Sequence, residues 1–197
     1  MLDVRHQNDF AKSHIPRSIF IGLNDGFAPW VGALIKDVKQ PIILIVEEDK
    51  VEEAVTRLSR VGFDNVIGFL KGGVDAWIND GREVDQITSI TANDLYGITE
   101  KNSEAYIVDV RKGSEYLSEH VKVAHNSPLS TLNEHLSSLP ESETFYVHCA
   151  GGYRSMIAAS ILKSRGVHNF IDVEGGYKAI KETEVSVSDF VCPTTLQ

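Results

Sequence analysis

The stretch Val108-Asp109-Val110-Arg111 decides the fold, because nearly the same four residues, Leu2-Asp3-Val4-Arg5, occur 106 positions earlier. Three further pairs share this spacing: Phe10 and Tyr116, His14 and His120, and Leu23 and Leu129. A repeat of this length is too long for a solenoid unit and close to the size of a small domain. The chain is therefore predicted to contain two related domains.

Two later anchors extend the repeat towards the end of each copy. Residues 60–66 match residues 164–170 at a spacing of 104, and Gly72-Gly73 matches Gly175-Gly176 at a spacing of 103. Small insertions between fixed anchors are typical of a duplicated domain. We predict a first domain over residues 1–85 and a second over residues 86–197.

Each copy alternates short apolar runs with helical patterns. Residues 42–46 and 145–147 are predicted to be buried strands, and Ala105 to Val110 another. Residues 51–61 and 155–165 carry apolar side chains at helical spacing and end before glycine. Buried strands that alternate with helices favour parallel pairing, so the predicted fold class is α/β with parallel central sheets.

The two copies differ at their beginnings. Ahead of its Asp-Val-Arg, the second copy has residues 86–107, enough for a first strand and a helix beginning near Thr91, whereas the first copy has only Met1 and Leu2. We expect the first domain to be truncated at its N-terminus, and the chain to be a fragment of a longer protein. The missing segment should leave a sheet edge that is exposed or covered by a partner.

Composition and charge narrow the function classes. The 197 residues are 42% hydrophobic with a formal charge of −9, so the field has the wrong sign for nucleic acid or anionic membranes. No apolar run is long enough to span a bilayer and residues 1–5 do not resemble a signal peptide, so a cytoplasmic protein is expected. Scattered histidines and two cysteines predict no metal site, no disulfide and no cofactor.

The chemistry is concentrated in residues 147–156, where a strand leads through a glycine-bearing loop into a helix. Loop N–H groups and the positive end of the helix would stabilise a thiolate at Cys149. Gly151 and Gly152 allow the backbone to approach the sulfur, Arg154 adds a cation, and Ser155 can cap the helix. Cys149 is therefore predicted to be a nucleophile, with Arg154 as its catalytic partner. A buried structural cysteine followed by a simple turn is the alternative.

These residues resemble the rhodanese family of sulfurtransferases, through the Asp-Val-Arg stretch, His120, the Cys149 loop and Gly175-Gly176. The resemblance covers both copies and implies three-layer α/β/α domains. In that family the cysteine that matches Cys149 carries sulfur as a persulfide. Related phosphatases have five residues between cysteine and arginine, whereas this chain has four, which favours sulfur transfer. The predicted substrate-binding residues are Ala150, Gly151, Gly152, Tyr153 and Ser155, with Tyr153 shaping access.

The resemblance implies a sulfurtransferase that moves sulfane sulfur from thiosulfate or a low-molecular-weight persulfide to a thiol or cyanide. The partners would be a small anionic sulfur donor and a thiol acceptor. Two other functions stay open. One is a non-catalytic persulfide carrier or docking module of a larger protein of sulfur metabolism, and the other is a phosphatase-like hydrolase, which the loop length disfavours.

The first copy departs from the family pattern. Its matching stretch, residues 45–53, contains no cysteine, glycine or arginine and carries several acidic side chains, so we predict a catalytically inactive domain. Residues 27–34 are similar to the rhodanese portion of fusions with a metallo-β-lactamase-fold persulfide dioxygenase. That similarity implies such a domain as an upstream partner. No His-x-His-x-Asp-His motif occurs, so dioxygenase activity is not expected of this chain.

Four other residues are expected to have structural roles or none in the reaction. Asp109 and Arg111 are predicted to form a structural ion pair that ties strand to helix, with substrate binding as the alternative. His148 should face away from the nucleophile if it continues the strand alternation. Cys192, near the end of the chain, is interpreted as a tail thiol rather than a resolving cysteine.

Overall fold

The computed structural model describes residues 1–24 and 26–192. The chain divides into two compact units. The first comprises Met1–Ile87 together with Lys163–Arg165, and the second comprises Thr88–Leu162 and the chain from Gly166 onward. Each unit is described by itself below.

The first unit is built on a four-stranded sheet in which every strand pair is parallel. The strand order is β2-β1-β3-β4. The strands are β1 (Leu2–Asp3), β2 (Ile19–Phe20), β3 (Ile42–Ile45) and β4 (Val66–Phe69), and the helices are α1 (Gln7–Lys12), α2 (Phe27–Leu34), α3 (Val51–Ser59) and α4 (Gly73–Asn79).

The second unit is built on a five-stranded parallel sheet with the order β5-β9-β8-β6-β7. The strands are β5 (Ser89–Ile90), β6 (Ile107–Asp109), β7 (Ala124–Asn126), β8 (Phe145–His148) and β9 (Phe170–Val173), and the helices are α5 (Ala92–Lys101), α6 (Gly113–Ser118), α7 (Tyr153–Ser164) and α8 (Gly176–Ile180). The predicted fold class, two α/β domains with parallel sheets, is confirmed.

Local sequence explains where the helices begin and end. Thr91 caps α5, because its hydroxyl accepts the Asp94 N–H while the Asp94 carboxylate accepts the Thr91 N–H. Gly62 and Gly166, with φ of 89° and 85°, follow α3 and α7 and allow the left-handed turn that ends a helix. The helices therefore stop next to the glycines that the sequence places there.

The first sheet has one strand fewer than the second. Strands β1 to β4 correspond to β6 to β9, and in the described part of the first unit no strand or helix corresponds to β5 and α5. As a result β4 is an edge strand. Its Ile67, at the point where the pairing with β3 shifts register, is 62% exposed. The matching strand β9 lies between β5 and β8, and its Val173 is fully buried.

The ion pair predicted between Asp109 and Arg111 is present. An Arg111 nitrogen lies 2.6 Å from a carboxylate oxygen of Asp109, and Arg111 also donates to the Glu119 carbonyl at the end of α6. The first unit has the same arrangement, with 2.7 Å between Arg5 and Asp3. The pair also occurs in the copy without the cysteine loop, and in both copies the arginine ties the strand to the end of the following helix. Substrate binding by Arg111 stays the alternative.

The described residues carry neither a membrane-spanning helix nor a metal-binding cluster. None of their helices combines the length and apolar character that crossing a bilayer requires. The same residues include no cluster of three or more His, Cys, Asp or Glu side chains placed to hold a metal ion.

Candidate active site

Cys149 lies where the sequence places it, directly after β8 and four residues before Tyr153, the first residue of α7. Its side chain is buried, with 1% of the residue exposed. The Gly152 N–H donates a hydrogen bond to the Cys149 Sγ over 3.1 Å. Gly152 has a φ of 106°, which a residue with a Cβ rarely adopts, so glycine is needed to turn this N–H towards the sulfur.

The other loop residues take different positions around the sulfur. Gly151 is exposed, Ala150 is half-buried and Tyr153, the first residue of α7, is buried. Ser155 lies inside the first turn of α7 and not before it, so it does not cap the helix as predicted. Its hydroxyl donates to the Gly152 carbonyl over 3.1 Å. Ser155 thus fixes the loop residue that contacts the sulfur.

Arg154 is held by Glu115 of α6 in a two-pronged ion pair. Its Nη1 and Nη2 lie 2.6 and 2.9 Å from the two carboxylate oxygens. The hydrogen bonds from Arg154 lower the pKa of Glu115, and those from Glu115 raise the pKa of Arg154. After the hydrogen bonds and charge of Glu115, the charge of Cys149 makes a smaller contribution to the rise of the Arg154 pKa. Glu115 partly neutralises the cation beside the nucleophile.

Sequence reasoning missed Glu115. A signal was present, because the position 106 residues earlier in the repeat is also acidic, Asp9. An acidic residue in both copies, four positions after the Asp-Val-Arg arginine, could have been proposed as the partner of a loop cation.

The Gly175-Gly176 turn supports the loop from behind. The Tyr177 N–H donates to the Cys149 carbonyl over 2.6 Å, and the Lys178 N–H donates to the Ala150 carbonyl over 3.0 Å. A Cβ at Gly176 would lie 2.5 Å from the Cys149 carbonyl oxygen. The glycine therefore permits a close approach between two backbones, and the start of α8 binds the cysteine loop.

His148 is fully buried beneath the loop. Its Nδ1 lies 3.2 Å from the Cys149 carbonyl oxygen, and its ring stacks on Tyr177 with 6.2 Å between centroids. Burial lowers the pKa of His148. A neutral imidazole that donates to a carbonyl supports the loop backbone, and no contact places it at the sulfur.

A cavity of about 260 Å³ lies beside the Glu115–Arg154 pair. Glu115, Arg111, Tyr177 and Phe190 contribute to its wall. Val191, the residue after Phe190, is bonded to the end of α6, because its N–H donates to the Ser118 carbonyl over 2.7 Å. Cys192, the next residue, is exposed. Its assignment as a tail thiol stays a prediction.

The corresponding segment of the first unit is a different structure. Residues Glu48–Lys50 form a single 3-10 turn that leads into α3, without a glycine-bearing loop. The Glu48 carboxylate accepts the Gly72 N–H over 3.4 Å. An acidic side chain thus faces the glycine turn on the side where the second unit has its cysteine loop.

Comparison with known proteins relates both repeats to one family. The family model for the rhodanese-like domain matches residues 1–80 and 91–183. The solved structure of a rhodanese-related protein from Thermoplasma volcanium is 35% identical, with a TM-score of 0.44, and covers 51% of this chain and 97% of that chain. Thiosulfate sulfurtransferase from Pseudomonas aeruginosa is 20% identical, with a TM-score of 0.47, and covers 96% of this chain and 40% of that chain.

Curated relatives share one repeat-sized segment with the chain. The Synechocystis protein slr1261 is 41% identical over 78 residues, or 39% of this chain and 42% of that protein. The adenylyltransferase and sulfurtransferase uba4 of Ogataea parapolymorpha is 40% identical over 73 residues, 36% of this chain and 18% of that protein. The putative sulfur carrier protein YrkF of Bacillus subtilis is 32% identical over 72 residues, which are 36% of this chain and 39% of that protein. The chain spans less than half the length of each of these three relatives.

Proposed function

The chain belongs to the rhodanese-like domain family, and on that premise we propose that it is a sulfurtransferase that works through a persulfide on Cys149. The observation that carries the proposal is the hydrogen bond of 3.1 Å from the Gly152 N–H to the Cys149 Sγ, in a loop between a strand and a helix. The reacting domain is residues 86–197, and residues 1–85 form a catalytically inactive domain.

The reaction consists of two displacements at sulfur. The Cys149 thiolate attacks the outer sulfur of thiosulfate or a small persulfide, a new S–S bond forms at Sγ, and the donor S–S bond breaks to release sulfite or a thiolate. An acceptor thiolate or cyanide then attacks the outer sulfur of Cys149. This step restores the Cys149 thiolate and yields a new persulfide or thiocyanate.

Loop N–H groups and the Arg154 guanidinium support the anions that form in these steps. Negative charge moves from Sγ to the leaving group and returns, so fixed donors that point at the sulfur lower both barriers. The loop residues Ala150, Gly151, Gly152, Tyr153 and Ser155 bind the transferred sulfur and the donor. Glu115 holds the Arg154 fork in place and limits its net charge, which favours release of an anionic product.

The cavity that Glu115 and Tyr177 line is the candidate site for a small thiol acceptor. It borders Tyr177, which is bonded through its N–H to the Cys149 carbonyl, and Glu115, which is bonded to Arg154. We assign the acceptor to this cavity. The resemblance of residues 27–34 to fusions with a persulfide dioxygenase suggests a metallo-β-lactamase-fold domain as an upstream partner, and that partner stays a prediction.

Intact-protein and peptide mass spectrometry after exposure to thiosulfate or glutathione persulfide tests the proposal. One sulfur atom should be added to the peptide that contains Cys149, and the label should disappear on addition of cyanide. Cys149→Ser should abolish the addition. Cys192→Ser is the matched control and should leave it unchanged. Sulfur found on Cys192 instead, or transfer that survives Cys149→Ser, would contradict the assignment.

A carrier that accepts sulfur only from a partner protein is the second candidate. It is favoured by the similarity to a protein named as a putative sulfur carrier. Steady-state release of sulfite from thiosulfate with cyanide as acceptor separates the two functions. Repeated turnover supports the enzyme, whereas a persulfide on Cys149 without turnover on small substrates supports the carrier.

A further inference from the structure

Asp172 on β9 is a buried carboxyl group that the reaction described above does not use. Only 3% of the residue is exposed, and within the described residues its Oδ1 has no hydrogen-bond partner. The groups that act on the carboxyl are the Ser155 and Ser89 hydroxyls, the Val173 N–H and the charge of Glu174. A buried acid without a cation among these groups is costly to ionise.

The sheet register places Asp172 beside the strand that leads into the cysteine loop. Asp172 is paired with Ser89 of β5 on one side and with Val147 of β8 on the other. Val147 is two residues before Cys149, and the Ser155 hydroxyl in the first turn of α7 is one of the groups that lower the pKa of the Asp172 carboxyl. Asp172 therefore lies close behind the cysteine loop.

Two hydrogen bonds continue from Ser155 to the nucleophile. The Ser155 hydroxyl donates to the Gly152 carbonyl over 3.1 Å, and the Gly152 N–H donates to the Cys149 Sγ over 3.1 Å. The Gly152 carbonyl also accepts the Met156 N–H over 3.2 Å. Gly152 is thus held on both sides, and Ser155 contributes one of the contacts that restrict it.

The single hydroxyl proton of Ser155 couples Asp172 to the loop. While Ser155 donates to Gly152, it can only accept from Asp172, so the carboxyl must be protonated to satisfy the pair. An ionised carboxylate is an acceptor only and takes the Ser155 proton for itself. The bond to the Gly152 carbonyl is then lost, and a glycine with a positive φ becomes less restricted.

We propose that Asp172 is a positioning residue for Cys149: its protonated form holds Gly152 through Ser155, with the Gly152 N–H directed at the sulfur, and its ionised form loosens that contact. The effect on sulfur transfer rests on the function proposed above, whereas the effect on the loop does not.

The proton is exchanged near neutral pH. Burial, the largest cause, raises the pKa of Asp172 to about 7, the charge of Glu174 adds to the rise, and the two serine hydroxyls oppose it. Since this value lies above the usual 3.8 of aspartate, the protonated form predominates below about pH 7. The loop contact is therefore expected at pH 6 and is weakened at pH 8.

The test follows the amide signal of Gly152 by NMR between pH 5.5 and 8.5 in the full chain. The wild type should show a step near pH 7 that Asp172→Asn removes, because asparagine donates to Ser155 at every pH. Ser155→Ala should also remove the step. Ser160→Ala is the matched control, since Ser160 lies on the same helix and donates in the same way to the Ile157 carbonyl three residues back. It should keep the step.

Sulfur loading of Cys149 provides the second readout. Asp172→Asn should equal the wild type at pH 6 and load roughly 3- to 10-fold faster at pH 8, the range expected for one net hydrogen bond. In the Ser155→Ala background, Asp172→Asn should have no effect at either pH.

The outcomes separate the two proposals. An amide step that persists in Asp172→Asn, or is absent from the wild type, overturns the positioning role even if sulfur transfer is normal. An amide step that behaves as expected in a protein that never accepts sulfur supports the positioning role and rejects the proposed function. If Asp172→Asn does not fold, the comparison between Ser155→Ala and Ser160→Ala decides.

Discussion

Gly176 and its counterpart Gly73 differ in what surrounds them. Both have a positive φ, 56° and 60°, and both begin a helix after a glycine turn. A Cβ at Gly176 would meet the Cys149 carbonyl at 2.5 Å, whereas a Cβ at Gly73 would have nothing within 4 Å. The cysteine loop, and not the glycine turn, therefore causes the close backbone approach at Gly176.

Alanine at these two positions should therefore have different effects. Each substitution costs about 1–2 kcal/mol from the left-handed backbone. Gly176→Ala must also displace the Cys149 loop, so sulfur loading should fall at least roughly tenfold, the effect of a small misplacement at a reacting centre. Gly73→Ala should leave loading unchanged. Mass spectrometry of the loaded peptide over time measures both, and equal loading in the two variants would contradict the role of Gly176.

Strands β4 and β9 differ in the number of strands beside them and in the burial of their side chains. They occupy matching positions in the two sheets, but β4 is an edge and β9 is interior. Ile67 of β4, where the pairing with β3 shifts register, is 62% exposed, while Val173 of β9 is fully buried. An open edge also leaves backbone N–H and C=O groups without a strand partner.

Truncations on these strands should follow burial rather than side-chain size. Val173→Ala is expected to reduce the free energy of unfolding of the second unit by roughly 1–2 kcal/mol, whereas Ile67→Ala should change that of the first by less than about 0.5 kcal/mol. Urea unfolding measures both. Trp30 and Trp77, the two tryptophans of the chain, report on the first unit by fluorescence, and circular dichroism reports on both units. A larger loss for Ile67→Ala would show that β4 is covered in solution.

At the scale of the molecule, the residues assigned to the reaction lie in only one of the two repeated units. The loop from Cys149 to Arg154 and its supports Glu115, Asp172 and Gly176 all belong to the second unit. The first unit retains the buried Asp3–Arg5 pair and the glycine turn, but its matching segment is an acidic 3-10 turn. The first unit therefore keeps the contacts that stabilise the fold and lacks those that serve a nucleophile.

A fragment that contains residues 86–197 should accept and transfer sulfur at about the rate of the full chain, because it carries every residue assigned to the reaction. Its thermal stability should be lower if the first domain acts as a scaffold. Sulfur loading and thermal unfolding of the fragment and the full chain measure the two effects. A well-folded fragment that no longer transfers sulfur would show that the first domain contributes directly to the site.

The sequence by itself determined the duplication, the fold class and the place of Cys149 between a strand and a helix. These features depend on local patterns: apolar runs for strands, helical periodicity that ends at glycine, and the Thr91–Asp94 cap. Cys149, Gly152 and Arg154 are close in sequence, so their placement between a strand and a helix follows from the same local rules.

Only the tertiary structure decided which residues distant in sequence support the loop that contains Cys149. Arg154 pairs with Glu115, which is 39 positions away and one of 28 acidic residues in the chain. No local sequence pattern identifies which acidic residue the fold brings to Arg154. Asp172 appears in the sequence as one polar residue in an apolar strand, and its burial follows from β5 on one side and α7 above. Burial and partner choice are properties of packing between elements, which is why the sequence predicted the loop but not the groups that hold it.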